Sequence, residues 1–102
     1  MTTEQIAALR VGFDLDTAIG VVLGFSPGLL IPDYSLSNEA AVGLFHYVVQ
    51  RRWEMSMNYD GTDYEVVLYT PKLSWHADAD TFPEAMCKAF LLAHYGCSGE
   101  QA

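Results

Sequence analysis

The hydrophobic period of this chain changes once, just before Trp53, and that change limits what the chain can fold into. Upstream, Ala40, Ala41, Leu44, Phe45, Val48 and Val49 recur at the spacing of one helical stripe. Downstream, Trp53, Met55, Met57 and Tyr59 alternate with Glu54, Ser56 and Asn58, the period of a strand with one buried face. Both patterns in 102 residues leave room for one mixed domain and not two.

Asp60-Gly61 follows the alternating run and predicts a two-residue hairpin turn. Such a turn sets Met57 against Tyr64, Met55 against Val66 and Trp53 against Leu68. The opposite face then carries Glu54, Ser56, Asn58, Asp63, Glu65, Val67 and Tyr69, so the two sides sort into apolar and mostly polar. Pro71 and Lys72 predict the next turn. Residues 74–78 predict a third strand with Trp75 and Ala77 toward the core and His76 and Asp78 outward.

Helical patterns flank these strands. Residues 3–9 predict one short turn, and residues 13–25 a helix with Leu15, Ile19, Val22 and Leu23 inward. Gly24 and Ser26-Pro27-Gly28 stop it. Ser37 is the expected N-cap of a single helix that ends near Arg51 and Arg52, which favour its dipole. Thr81 and Glu84 have capping-box spacing and start the last helix. Its inward stripe is Ala85, Met86, Ala89, Phe90 and Ala93, and Gly96 ends it. The expected fold is a single α+β domain in which helices pack on a three-stranded antiparallel meander, in the order α-α-β-β-β-α. Its core spans about residues 12–95, and residues 97–102 are expected to fray. The helix-βββ-helix order matches that of a double-stranded-RNA-binding domain in topology alone, because the basic contacts of that module are missing.

Charge excludes several functions. Five Lys and Arg stand against 13 Asp and Glu, a formal charge of −8. Binding to phosphate backbones or to anionic membranes needs the opposite sign. The longest uncharged run, residues 17–32, is too short and too broken by glycine and proline to span a bilayer. No basic stretch precedes an apolar core at the N-terminus, so no signal peptide is expected and the chain reads as cytoplasmic. Cys87 and Cys97 lie outside any CxxC or Cys/His cluster and read as free thiols.

Four segments carry a family resemblance. They are Asp14-Leu15-Asp16, Gly24-Phe25, Ile31-Pro32-Asp33-Tyr34-Ser35, and the closing run from Ala77-Asp78-Ala79-Asp80-Thr81-Phe82-Pro83 to Glu84-Ala85-Met86-Cys87-Lys88-Ala89. Together they resemble the phage ABA sandwich domain family of small phage proteins. Its members show a Leu-Asp helix ending in Gly-Trp, a Pro-x-Tyr-Ser segment, and an Ala-Asp-Thr-x-Pro-x-Ala-Ile-Cys-Arg-Ala close. Phe25 stands where that pattern has Trp, Met86 where it has Ile, and Lys88 where it has Arg. The resemblance covers roughly residues 12–95. It implies a phage or prophage origin and an α+β sandwich, and it brings no catalytic residues.

The outward sheet face is the candidate site. Glu54, Asp63, Glu65 and Asp78 share it with Tyr69 and His76, and no Lys or Arg falls on it. Such a face steers a basic partner inward, and Val67 and Tyr69 supply apolar anchors. Glu54, Asp63, Glu65, Tyr69 and Asp78 are therefore the expected partner-binding residues, with Asp14, Asp16 and Asp33 extending the acidic surface. His76-x-Asp78-x-Asp80 offers nitrogen and oxygen donors but lacks a full ligand set, and Asp80 suits a helix N-terminus, so no metal is expected. Cys87 with His46, His76 or His94 as base would make a nucleophile, yet Cys87 falls beside the buried stripe and reads as an inert core thiol. No cofactor and no catalysis are expected.

The expected function is that of a small acidic phage-encoded protein that occludes a host protein with a basic, nucleic-acid-handling surface, such as a CRISPR effector complex, without touching nucleic acid itself. The alternative is a phage accessory or assembly protein that self-associates through Leu29-Leu30-Ile31 and Phe25.

Overall fold

The computed structural model describes residues 1–25 and 30–97 and the backbone of 100–101. Helices α1 (Thr3–Ala7), α2 (Phe13–Leu23), α3 (Asn38–Gly43) and α4 (Phe45–Gln50) precede strands β1 (Glu54–Tyr59), β2 (Tyr64–Tyr69) and β3 (Leu73–Ala79). Helix α5 (Phe82–His94) and a two-residue strand β4 (Glu100–Gln101) follow. The sheet order is β1-β2-β3-β4, antiparallel throughout, so the expected three-stranded meander is present. β4 pairs with Leu73 and Ser74, where the chain was expected to fray.

The layers run sheet, α5, helices. α5 lies against β2 and β3 on one side and against α1, α2 and α3 on the other. Its composition explains that position. Pro83, Ala85, Met86, Cys87, Ala89, Phe90, Leu91 and Ala93 are all buried, which no single helical stripe accommodates. Burying side chains such as Phe90, Leu91 and Met86 stabilises the fold by roughly 1.5–3 kcal/mol each. Val66, Leu68, Trp75 and Ala77 complete the core from the sheet side, and Leu15, Ile19, Ala41 and Leu44 from the helical side. Trp53 meets Phe90 edge-on at 5.6 Å between ring centroids, and the Arg51 guanidinium lies over both rings.

Several local expectations are corrected. The hairpin register is displaced by two residues: Tyr59 pairs with Tyr64, Met57 with Val66 and Met55 with Leu68. The loop is four residues because Asp60 closes it, its Oδ1 accepting from the amides of Thr62 and Asp63 at 2.8 Å each. A displacement of two preserves which side chains share a face. The single helix after Ser37 is two, broken at Leu44. Gly43 is the weakest helix former there, and the Leu44 amide reaches back only three residues to Ala41. Phe45 and Val49, assigned to its buried stripe, are exposed. Thr81 caps α5, but Glu84 bonds Lys88 at 2.9 Å instead of closing a capping box. The complete capping box is in α1, between Thr2 and Gln5.

Asp16 is also corrected. It is buried, not part of an acidic surface, and its Oδ1 accepts from the Ser35 amide at 2.7 Å. The Gly12 amide donates to Ser35 Oγ at 2.7 Å. These bonds tie α2 to the segment that leads into α3. Asp16→Ala would leave the buried Ser35 N–H unpaired and should cost about 1–3 kcal/mol. Asp16→Asn keeps an acceptor and should cost less. Urea unfolding of the two variants checks both the loss and its order.

Candidate functional site

All helix packing on the sheet uses its inner side, so the outer face lies open among the described residues. Pairing sets that face in rows. Glu54, Tyr69 and Ser74 form one, Ser56, Val67 and His76 the next, and Asn58, Glu65 and Asp78 the third. Asp63 and Asp80 lie beyond the third row, at the hairpin end. Glu54, Ser56, Asn58, His76 and Asp78 are exposed, while Asp63, Glu65, Val67 and Tyr69 are half-buried. Each of these residues points outward because strand alternation sends Met55, Val66, Leu68, Trp75 and Ala77 the other way.

Asn58, Asp60, Asp63, Glu65 and Asp78 line a concavity of about 300 Å³ at the hairpin end. Four of the five are carboxylic acids. The two loop amides that donate to Asp60 hold its carboxyl below the usual range. Asp63 is displaced upward, first by partial desolvation and then by the charges of Asp60, Asp80 and Asp78. A concave cluster of one sign focuses its field outward and attracts cations or a basic side chain.

The expected site residues separate into two groups. Asp63, Glu65 and Asp78 converge on the concavity, whereas Glu54 and Tyr69 lie four residues away along their strands, about 13 Å. Asp14 and Asp33 are exposed outside the sheet, and Asp33 shares a separate cleft with Phe13, Leu30 and Leu36. Asp60 is not among the residues the sequence pattern points to, because Asp-Gly reads as a two-residue turn. The Asp at the first position of a longer self-capped loop was the available signal.

One chemical grouping stands out on this face. Ligand atoms of Glu65, His76 and Asp78 all lie within 4.8 Å of one another. Asp80, the third member of the sequence-based cluster, is not in the group. Nitrogen and oxygen donors of this kind suit a first-row divalent ion.

Cys87 is fully buried, and desolvation, followed by the charges of Asp16 and Glu84, pushes its thiol above the usual range. That disfavours the thiolate a nucleophile requires. His94 is displaced downward by burial and then by Arg51 and the N-terminal charge. His46 is exposed and stacks edge-on against Tyr47. Cys97 is half-buried. In the native protein a disulfide-exchange reagent such as DTNB should titrate Cys97 first and Cys87 only on unfolding. Cys97→Ser should leave no fast-reacting thiol; rapid labelling of that variant would contradict the assignment of Cys87 as a core residue.

No helix among the described residues is long and apolar enough to cross a membrane. No family model, curated protein or solved structure matches the chain.

Proposed function

We propose that this is a small phage-encoded binding protein that acts by occlusion, docking its acidic sheet face into the basic, nucleic-acid-handling groove of a host protein. A CRISPR effector complex is one target of that kind. The observation that carries the reading is an uncovered sheet face with Glu54, Asp63, Glu65 and Asp78 on it and no Lys or Arg among the described residues. Glu65 and Asp78 face each other about 5 Å apart across strands, and Asp63 lies about 7 Å from Glu65 along the chain. Val67 and Tyr69, half-buried in the same face, provide apolar anchors. The family resemblance motivates the phage origin.

The test compares the chain with the fourfold variant Glu54→Lys, Asp63→Lys, Glu65→Lys and Asp78→Lys. The unmodified chain should capture a nucleic-acid-handling host protein at low salt and displace its nucleic acid. It should release that protein near 0.5 M salt, where the Debye length is about 4 Å. The reversed variant should capture nothing. Equal capture by a folded reversed variant would sink this reading.

A second reading is a phage accessory protein that self-associates. It is favoured by an apolar cleft of about 380 Å³ on the helical side, where Phe13, Leu30 and Leu36 are exposed at 82%, 96% and 63%. Of the expected interface, Leu29 lies outside the described residues, and Phe25 and Ile31 are partly buried against the core. Solution mass at high concentration decides: a dimer that Leu30→Asp dissociates supports self-association, and a monomer removes it.

A further inference from the structure

We propose that Glu65, His76 and Asp78 form a binding site for one first-row divalent cation of the Zn²⁺ or Mn²⁺ type, with water completing its coordination. The three donors come from two paired strands. Glu65 and Asp78 are direct cross-strand partners, and His76 is two residues from Asp78 on the same face. Strand pairing therefore sets the spacing before any ion arrives.

Three observations support the site. The first is donor type: the imidazole adds a nitrogen to Glu65 and Asp78, the two carboxylates the group shares with the acidic concavity. The second is reach. A cation held at about 2.0–2.2 Å from each donor needs its ligands about 3.4 Å apart. Atoms already within 4.8 Å reach that separation by small side-chain rotations. The third is an electrostatic cost in the fold. Like charges directly opposed across antiparallel strands are destabilising. The side chains of Glu65, His76 and Asp78 make no hydrogen bond or ion pair with the described residues. The one ion pair among the described residues, Glu84 with Lys88, is on α5. A divalent cation would offset the opposed charges and engage all three groups.

The neighbouring carboxylates deepen the attraction. Asp60 and Asp63 line one concavity together with Glu65 and Asp78, so the negative field extends beyond the three donors. The proposal does not depend on the docking reading, and its test uses the isolated chain.

The experiment is calorimetric titration of the full chain with Zn²⁺ and with Mn²⁺, paired with NMR line broadening by Mn²⁺. One ion per chain should bind saturably, and broadening should centre on residues 65, 76 and 78. Loss of an outer-shell partner commonly weakens a site by about 10–100-fold, so His76→Ala, and Glu65→Gln with Asp78→Asn, should each weaken binding by about tenfold or more. A bound ion should also raise the unfolding temperature of the unmodified chain and not that of the variants. Three results would overturn the site: no saturable binding of either ion, affinity unchanged by His76→Ala, or broadening centred on Asp60 and Asp63. A cobalt(II) spectrum with thiolate charge-transfer bands would likewise place the ion on Cys97 and overturn it. The broadening experiment needs no substitution, so it stands even if a variant fails to fold.

Discussion

Burial of α5 on both sides is the constraint on which the rest of the structure depends. A helix with eight buried positions in 13 residues cannot sit at a surface. It needs a sheet on one side and further helices on the other. The sheet supplies Val66, Leu68, Trp75 and Ala77, and the helical layer supplies Leu15, Ile19, Ala41 and Leu44. Because α5 and the helices around it gather on one side of the sheet, they leave the other side open among the described residues. The acidic face is exposed as a consequence of where the most apolar helix has to go.

The helical layer is fastened to this core by polar bonds as well as apolar contacts. Asp16 and Ser35 are the two buried polar residues among those described, and the Ser35 amide donates to Asp16 Oδ1. Ser35 also receives the Gly12 amide at the start of α2. At the other end of the layer, Lys88 of α5 donates to the Ala7 carbonyl at 3.2 Å and tethers α1. A close approach adds to this: a Cβ on Gly20 would fall 2.7 Å from Ile31 Cδ1, so the Ile31 side chain packs directly against the α2 backbone at this glycine. The apolar cleft around Phe13, Leu30 and Leu36 is lined by α2 and the segment before α3, and the acidic concavity by the strands and the β1–β2 loop, so the two surfaces belong to different layers.

Much of this was legible in residue patterns. Alternation around Met55 and Met57 placed Glu54, Asp63, Glu65 and Asp78 outward, and strand geometry makes that inference robust: even a two-residue error in register leaves the faces unchanged. The stripe Ala85, Met86, Ala89, Phe90 and Ala93 identified the inner side of α5. Other features could not be read locally. Phe45 and Val49 repeat at helical spacing yet are exposed, because period alone does not say how wide a stripe the neighbours cover. Asp16 reads as a surface acid until Ser35, 19 residues away, is brought against it.

What the sequence determined by itself is the α+β class, the strand faces and the sign of the surface charge, because these follow from side-chain period and composition within a few residues. Tertiary structure alone decided which sheet face is covered and which carboxylates converge. It paired Glu65 with Asp78 and brought His76 beside them, and it separated Glu54 and Tyr69 from that group. The physical reason is that layer order is set by long-range packing against α5, and the β2–β3 register by that packing together with the turn at Thr70, whose hydroxyl accepts from the amides of Lys72 and Leu73.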